Sequence, residues 1–222
     1  MNISILTVFS QIYDSFLQTS LIKRAQEAGT VSFDIQEFFS FCEPKERIDS
    51  PTFGHGAGMV IKPEVVQKAV EKQETKHGKA FKIFLSPQGK KLDQDLVEKL
   101  TTYDSLTMLC GRYEGIDERV IENDIDYEVS IGDYVISGGE LAAMVVIDTI
   151  SRRLPNVLGN EDSLKDSFTD NLLDYPHYTR PEVVDGHSVP EVLLSGNQAK
   201  IDAWRLEQSI KRTKHKRPDL KV

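Results

Sequence analysis

The 222-residue sequence has few cysteines and no long apolar run. Its two cysteines, Cys42 and Cys110, supply neither a disulfide framework nor the four ligands of a structural zinc site. The longest apolar stretch, residues 141–147, is far shorter than the roughly 20 residues that a membrane-spanning helix needs. The first residues carry no positive charge of the kind that begins a signal peptide. We therefore expect a protein of the reducing cytoplasm without membrane contact.

Several catalytic signatures are also missing. The five histidines show neither HxxxH nor HxH spacing, and the sequence therefore predicts no dedicated metal site. There is no GxSxG elbow for a serine nucleophile. The absence of a GxGxxG turn after the first strand speaks against a nucleotide-dependent oxidoreductase. Residues 54–58 resemble a phosphate-binding loop, but no clear strand precedes them and no Lys-Ser/Thr pair follows, so we expect a flexible surface loop.

Charge is distributed unevenly along the chain. The net charge is −8, which by itself argues against a nucleic-acid partner. Residues 196–222, however, contain eight basic and three acidic residues, a net +5, which leaves −13 for residues 1–195. A basic tail on an acidic body suits a polyanionic partner, and it equally suits the solvated end of a surface helix.

The first 153 residues alternate between strand-like and helix-like patterns. The predicted strands are residues 2–9, 31–39, 81–85, 106–110, 127–131 and 134–136. The predicted helices follow Ser10 and Pro63, include Leu96 to Leu100, and cover residues 140–153. Because helices separate most of these strands, we expect parallel pairing within an α/β domain.

The helix predicted over residues 140–153 is apolar on nearly all sides. One side would lie against the sheet, and the other would meet a partner subunit or the middle of the core. Residues 155–176 then turn polar, which is typical of a linker or a functional loop. A helical tail is predicted from about Pro190 onwards.

Three segments share one design, an apolar strand that runs into a glycine-containing loop. They are residues 85–89, 110–115 and 130–140. In open α/β sheets ligands bind beyond the carboxyl ends of the strands, and glycine lets a flat ring approach the main chain. Each loop alone would be an ordinary turn, but the three together favour a site that encloses a nucleoside.

The same motifs resemble the TrmD family of bacterial tRNA (guanine-N1)-methyltransferases. The resemblance covers essentially the whole chain and is carried by residues 110–119, 130–140, 176–181, 195–196 and 204–205. It implies a SPOUT-class α/β fold, a parallel sheet with a deep trefoil knot plus a small α-helical C-terminal domain. It also implies a homodimer with active sites at the subunit interface. The implied division is a methyltransferase domain over residues 1–155, a linker over 156–175 and a helical tRNA-binding domain over 176–222.

The resemblance implies transfer of a methyl group from S-adenosylmethionine to N1 of the guanosine at tRNA position 37. Glu114 would lie near the cationic methionine end of the donor. By similarity the donor site comprises Pro87, Gly111, Tyr113, Glu114, Gly115, Ile131, Gly132, Asp133, Tyr134, Val135, Ile136, Gly138 and Gly139. An alternative of another class is a non-catalytic RNA-binding module, for which the basic tail would suffice and the loops would be turns.

The reaction requires a base for the N1 proton and a cation for the charge that develops on O6. The linker contains five acids, Glu161, Asp162, Asp166, Asp170 and Asp174, and chemistry alone does not choose among them. The family pattern Asp-Ser-Phe indicates Asp166 as the base, and Arg152 matches the family arginine that would face O6. Arg152 would also be favourable simply as a cation at a helix C-terminus.

The resemblance further suggests that His177, Tyr178 and Arg180 contact tRNA, although His177 and Tyr178 would serve equally well in a structural role. The chain departs from the family pattern at residues 53–58, where Tyr-Gly-Gly-Gly-Pro-Gly is usual. It also has Ala142 in place of a proline and Tyr175 in place of a cysteine. None of these departures removes a predicted catalytic group.

Overall fold

A computed structural model describes residues 1–159, 166–168 and 170–220 of the chain. The chain divides into two compact units, Met1–Gly159 and Asn160–Val222. Within the described residues, no helix is both long enough and apolar enough to cross a membrane.

A five-stranded parallel sheet forms the centre of the first unit. Its strands are β1 (Asn2–Thr7), β2 (Ser32–Glu37), β5 (Phe81–Lys91), β6 (Ser105–Cys110) and β7 (Tyr127–Ser130). They are ordered β2-β1-β6-β5-β7, and every neighbouring pair is parallel. Two short strands, β3 (Asp49–Pro51) and β4 (Met59–Ile61), form a separate antiparallel hairpin. The predicted α/β fold with a parallel sheet is therefore confirmed.

Helices cover both faces of this sheet. They are α1 (Asp14–Leu17), α2 (Ser20–Glu27), α3 (Pro63–His77), α4 (Gln94–Thr101), α5 (Glu118–Asp124) and α6 (Gly139–Arg153). Helix α3 begins with Pro63 in its first turn, where the missing N–H has no intrahelical partner to lose. Helix α4 is capped by Asp93, whose side chain accepts a hydrogen bond from the Leu96 N–H at 2.8 Å.

Alternation along the strands divides the core between the two faces. Ile5 and Met108 point towards α2, α4 and α6, whereas Leu6 and Leu109 point towards α3 and α5. All four side chains are fully buried. Each inner strand therefore contributes to two apolar clusters, as a sheet covered on both faces requires.

The helix predicted after Ser10 is broken into shorter pieces. Ser10–Tyr13 forms a 3₁₀ turn, and two short helices follow. The Ser10 hydroxyl donates to Glu37 at 2.7 Å and does not cap a helix. The strand predicted over residues 134–136 is wrong, because this segment has no strand partner and Val135 is 87% exposed.

Strand β5 differs from its predicted form in one respect. It continues past the predicted end at Leu85, and both Leu85 and Lys90 lie opposite Val129 of β7. The residues between them therefore bulge out of the ladder. Gly89 permits this path, since a Cβ atom there would lie 2.4 Å from the carbonyl carbon of Glu128.

Helix α6 is buried on one side only within the single chain. Val146, Ile147 and Ile150 are fully buried in the core. Leu141 and Val145 are 53% and 41% exposed, respectively. One of the two expectations for this helix was that it lies in the middle of the core. Leu141 and Val145 do not meet that expectation.

The described residues of the second unit include a small hairpin and two helices. Strands β8 (Val183–Val184) and β9 (His187–Ser188) pair in antiparallel fashion. Helices α7 (Glu191–Leu194) and α8 (Gln198–Lys216) confirm the predicted helical tail, with a break at Gly196, whose φ is +66°. Asn197 caps α8 by accepting a hydrogen bond from the Lys200 N–H at 3.2 Å.

Candidate active site

A cleft of about 350 Å³ opens at the carboxyl ends of β5, β6 and β7, beside the first turn of α6. All three glycine-containing segments singled out in the sequence contribute to its wall. The predicted donor-binding residues that line it are Pro87, Gly111, Tyr113, Glu114, Gly115, Ile131, Gly132, Tyr134, Val135, Ile136, Gly138 and Gly139. The fold thus brings together residues from three separate loops, as a ligand site at a sheet edge requires.

Asp133 is the one predicted donor-binding residue that does not line the cleft. Its side chain is 91% exposed, and its carboxylate lies 3.4 Å from the Lys91 ammonium group. The structure therefore places Asp133 on the surface, although its neighbours Gly132 and Tyr134 both face the cleft.

Two glycines in the wall are packed closely against neighbouring atoms. A Cβ atom on Gly139 would lie 2.8 Å from Cα of Cys110, and one on Gly111 would lie 3.0 Å from the Phe84 ring. The Gly139 N–H donates to the Gly111 carbonyl at 3.0 Å, so the two loops touch through their main chains. Here the two loops pack main chain against main chain, which a larger residue at Gly139 would prevent.

Glu114 is one of three acids that line the cleft, with Glu118 and Glu128, and hairpin β3–β4 supports the loop that carries it. The Glu114 N–H donates to the Met59 carbonyl at 3.0 Å. Gly58 lies so close that a Cβ atom there would be 2.4 Å from Oε1 of Glu114. This contact was not predicted, because residues 54–58 were expected to form a flexible surface loop. The short strands that flank them have no alternating apolar pattern that would have revealed the hairpin.

Two aromatic side chains of the cleft, Tyr113 and Tyr134, are each about half exposed. Cys110 lies just beneath the floor and is fully buried. Burial raises the pKa of the Cys110 thiol to about 12, so the thiol remains protonated at neutral pH. Cys110 is therefore a packing residue and not a nucleophile.

The two predicted catalytic residues belong to different units. Arg152 lies in the last turn of α6 in the first unit and is half-buried. Asp166 belongs to the second unit, where its side chain is exposed and its Oδ1 accepts a hydrogen bond from the Ser167 N–H at 2.7 Å.

The segment around Asp166 is held to the rest of the second unit by main-chain and side-chain contacts. The Phe168 N–H donates to the Leu172 carbonyl at 2.7 Å, and the Asp174 N–H donates to the Ser167 hydroxyl at 3.0 Å. The Phe168 ring also lies 5.6 Å from the Arg217 guanidinium group. These contacts tie the Asp-Ser-Phe motif to the end of α8. Glu161 and Asp162, two of the five linker acids considered in the sequence, lie outside the described residues.

The predicted tRNA-binding residues follow this segment, and all three are exposed. Nε2 of His177 lies 2.6 Å from the Asp174 carboxylate. The Tyr178 ring lies 6.4 Å from the Trp204 ring on α8. Arg180 is on the surface before the β8–β9 hairpin. His177 and Tyr178 therefore have structural contacts and exposed surface at the same time.

Within the described parts of the chain, no group of three or more His, Cys, Asp or Glu side chains is arranged to hold a metal ion. Asp133 and Asp174 are instead each paired with a neighbouring basic side chain, Lys91 and His177 respectively.

Comparison with known proteins gives one consistent family. The family model for "tRNA (Guanine-1)-methyltransferase TrmD" matches residues 1–222. A tRNA (guanine-N(1)-)-methyltransferase of Fusobacterium nucleatum is 48% identical over 221 residues, which cover 99% of this chain and 91% of the relative. An enzyme of the same name from Clostridioides difficile is 45% identical over 224 residues, which cover 99% and 97%.

The fold leads to the same family. The crystal structure of a tRNA (m1G37) methyltransferase from Aquifex aeolicus superposes with a TM-score of 0.82 at 38% sequence identity, over 99% of this chain and 94% of that one. Together with the cleft that the three signature loops build, these similarities show that the chain belongs to the TrmD family of tRNA (guanine-1)-methyltransferases.

Proposed function

We propose that this protein methylates N1 of the guanosine at position 37 of tRNA, with S-adenosylmethionine as the methyl donor. The observation that carries the proposal is the single cleft formed by the three loops through which the sequence resembles the family. The relative from Aquifex aeolicus is named for methylation at the same position. Its likeness to this chain extends over nearly the whole length of both proteins.

The residues of the cleft fit the methyl donor. Gly111 and Gly139 line the cleft, where their main chain would lie beside a flat adenine ring. The carboxylate of Glu114 suits the cationic sulfonium and ammonium end. When bound, S-adenosylmethionine supplies an electrophilic methyl group whose bond to sulfur breaks as the bond to N1 forms. The protein has to hold the guanine and move one proton.

Asp166 is the proposed acceptor of that proton. N1 of guanine carries a proton at neutral pH and becomes a good nucleophile only when the proton leaves. A carboxylate within hydrogen-bond distance can take it, which contributes about 10²–10⁴ in rate. Asp166 is exposed in the free protein, and we infer that tRNA binding partly removes it from water and thereby raises its basicity.

Arg152 is the proposed partner of O6. As N1 loses its proton, negative charge spreads to O6, where a fixed cation stabilises the transition state by about 3 kcal/mol. Arg152 is half-buried at the end of a 15-residue helix whose first turn borders the cleft. This rigid support would place the guanidinium group without a large loss of side-chain entropy.

We further propose the architecture that the family resemblance implies, a trefoil knot around the donor cleft and a homodimer with active sites at the subunit interface. The exposed side chains Leu141 and Val145, four residues apart on α6, support the dimer, because they form an apolar stripe that a second copy would cover. The proposed division remains residues 1–155 for catalysis, 156–175 for the linker and 176–222 for tRNA binding.

The protein is proposed to act on tRNA in the cytoplasm. The basic helix α8 supports a role in binding that tRNA. Its last turn contains Lys214, His215 and Lys216, and Lys211 is exposed one turn earlier. Cations spaced along an exposed helix can contact successive phosphates. His177, Tyr178 and Arg180 would add contacts near the methylated base, where stacking on an aromatic ring contributes about 1–3 kcal/mol.

The proposal is tested by incubating the purified protein with labelled S-adenosylmethionine and two tRNA transcripts that differ only at position 37. We expect label in the guanosine-37 transcript and none in the adenosine-37 transcript. Equal labelling of both would contradict the assigned position. Binding of tRNA without any S-adenosylmethionine binding in calorimetry would instead support the non-catalytic RNA-binding module.

A further inference from the structure

An ion pair in the wall of the cleft joins Arg112, which lines the cleft and is partly exposed, to a buried carboxylate. Glu140, in the first turn of α6, is fully buried. Its Oε2 atom is 2.9 Å from Nε of Arg112, which follows β6. Its Oε1 atom accepts a hydrogen bond from the Thr7 hydroxyl, at the end of β1, at 2.8 Å. One carboxylate thus connects three separate parts of the first unit.

Arg112 extends the connection into the cleft-forming loops. Its Nη1 atom donates to the Ser137 carbonyl at 3.1 Å, and its guanidinium group lies 4.9 Å from the Phe9 ring. Gly138 packs against both charged side chains. A Cβ atom on Gly138 would lie 2.3 Å from Nε of Arg112 and 2.6 Å from Oε2 of Glu140. The ion pair therefore packs directly against Gly138, and a side chain at position 138 would overlap with it.

Stability alone does not explain this pair. Taking two charges out of water costs several kcal/mol, and well-packed apolar side chains often replace a buried pair without loss of stability. The alignment is also poor, because the Arg112 Nε–H does not make a hydrogen bond to Glu140 despite the short distance. What the pair does provide is fixed geometry, since the long Arg112 side chain joins residues 111–115 to residues 137–139.

We propose that Arg112 and Glu140 are positioning residues for the methyl donor. They hold the loop that carries Gly111 and Tyr113 against the loop that carries Gly138 and Gly139, so that the backbone groups of the cleft are in place before the donor arrives. Neither residue needs to touch the transferred methyl group or the guanine. This inference rests on the proposed function, because it concerns the same cleft and the same donor.

The test is the double variant Arg112→Met/Glu140→Leu, which removes both charges and fills the space with apolar side chains. We expect a thermal midpoint close to that of the unaltered protein. We also expect the Kd for S-adenosylmethionine, measured by calorimetry without tRNA, to rise about 10- to 100-fold, the range seen when outer-shell partners of ordered metal sites are lost. At saturating donor, the rate and the KM for tRNA should change by less than about threefold, because the catalytic groups are untouched.

The matched control is Thr7→Val, which removes the hydrogen bonds that the Thr7 hydroxyl makes with Glu140 and with the Phe9 N–H, and which leaves the contacts of Arg112 with Glu140 and Ser137 in place. It should lower the thermal midpoint with little change in donor Kd. A folded double variant with the unaltered donor Kd would overturn the proposal. Should the double variant fail to fold, Arg112→Lys decides, because it keeps the charge but loses the planar fork. An unchanged donor Kd in that variant would equally overturn it.

The failure of the proposed function is distinguishable from the failure of this inference. If the unaltered protein does not bind S-adenosylmethionine in the same calorimeter, the assignment of the cleft is wrong. If the unaltered protein binds it and the variants bind it equally well, only the positioning role of the pair is wrong.

Discussion

In the first unit the proposed donor-binding loops are packed closely at their glycines, whereas in the second unit the proposed tRNA-binding residues lie on exposed surface. Gly111 and Gly139 lie against neighbouring atoms, and the Arg112–Glu140 ion pair joins their loops. The 19-residue helix α8, in contrast, buries little beyond Ile201, Ser209 and Thr213. Its basic residues project where a phosphate can reach them.

This difference matches the two ligands that the proposed reaction requires. A small donor is recognised by shape, which needs a closely packed site that is formed in advance. A large polyanion is recognised by charge over a wide area, and ordered water and mobile side chains are tolerated there. Mutations in the first unit should therefore act on donor binding and stability, and mutations in the second unit on tRNA-dependent steps.

The largest effect should come from the second unit, through Asp166→Asn. The variant keeps the size of the side chain but has no basic oxygen to accept the N1 proton. We expect methyl transfer to tRNA to fall about 10²- to 10⁴-fold with an unchanged donor Kd, measured by labelled methyl incorporation and by calorimetry. Asp170→Asn, at another exposed linker acid, is the matched control and should retain activity. Nearly normal turnover in Asp166→Asn would remove Asp166 as the base.

Arg152→Ala tests whether the first unit also contributes to the chemical step. We expect a loss of about 10²-fold or more in rate at saturating tRNA, because the charge on O6 loses its fixed cation. Arg153→Ala is the control, since the neighbouring Arg153 forms an ion pair with Glu98 on the surface of the same unit. A change in tRNA affinity alone, with an unaltered rate, would make Arg152 a residue that positions tRNA.

Charge reversal on α8 tests recognition by charge. Replacing Lys211, Arg212 and Lys214 by glutamate should weaken tRNA binding and flatten its dependence on salt, since each lost phosphate contact lowers the slope by about 1. Binding would be measured by filter retention over a range of salt concentrations. The same reversal at Lys23, Lys68 and Lys79, three exposed lysines of the first unit, is the control with equal net charge. Identical salt slopes for the two triple variants would refute a specific role for the helix.

Gly139→Ala tests recognition by shape. The new methyl group would lie 2.8 Å from Cα of Cys110, and main chain would have to move. We expect a loss of about 1–3 kcal/mol in the free energy of unfolding together with weaker donor binding. Gly159→Ala, where no atom lies within 4 Å of the added carbon, should change neither. Unchanged donor affinity in Gly139→Ala would show that the cleft adapts more easily than the packing suggests.

The smallest effect concerns a site away from the cleft, at Asp34. Burial raises the pKa of this carboxyl, but hydrogen bonds from Lys76, His77 and Gln36 outweigh burial and hold the pKa well below its ordinary value. A depressed pKa contributes stability above the unfolded value near pH 4, and that stability is lost as the pH falls through the folded value. Asp34→Asn should therefore cost about 1–2 kcal/mol at pH 7 and progressively less below pH 4.

Denaturant unfolding at several pH values measures this dependence. Glu27→Gln is the control, because the Glu27–Lys23 pair is exposed and 3.8 Å long and should contribute little at any pH. A cost for Asp34→Asn that stayed constant down to pH 2 would contradict the assigned linkage.

The sequence predicted most of the sheet because its strands are apolar enough to be recognised one at a time. Pro63 and the apolar face of α3 gave the correct helix, and the strands that end at Cys110 and Ser130 were predicted to within one residue. The order of strands in the sheet, with β6 beside β1, depends on contacts between distant segments. Periodicity carries no information on such contacts.

The three loops that glycine singled out in the sequence do line one cleft. Asp133 was included because its motif is continuous in sequence, yet its side chain turns outwards to Lys91. Residues 54–58 were set aside, although Gly58 packs against Glu114. Asp166 could be selected from five acids only through the family resemblance, since carboxylates in a polar segment look alike. The sequence thus indicates which glycine-containing loops form a cleft better than it indicates the role of a single charged residue.

The meeting of Gly111 with Gly139 has a practical consequence for inhibitor resistance. An inhibitor that binds to this stretch of backbone would contact main-chain atoms, which every amino acid has. Substitution of a side chain could therefore not easily remove the contacts that bind it. A resistant variant would need a bulkier residue at one of these glycines. That change would weaken donor binding by the enzyme as well as binding of the drug.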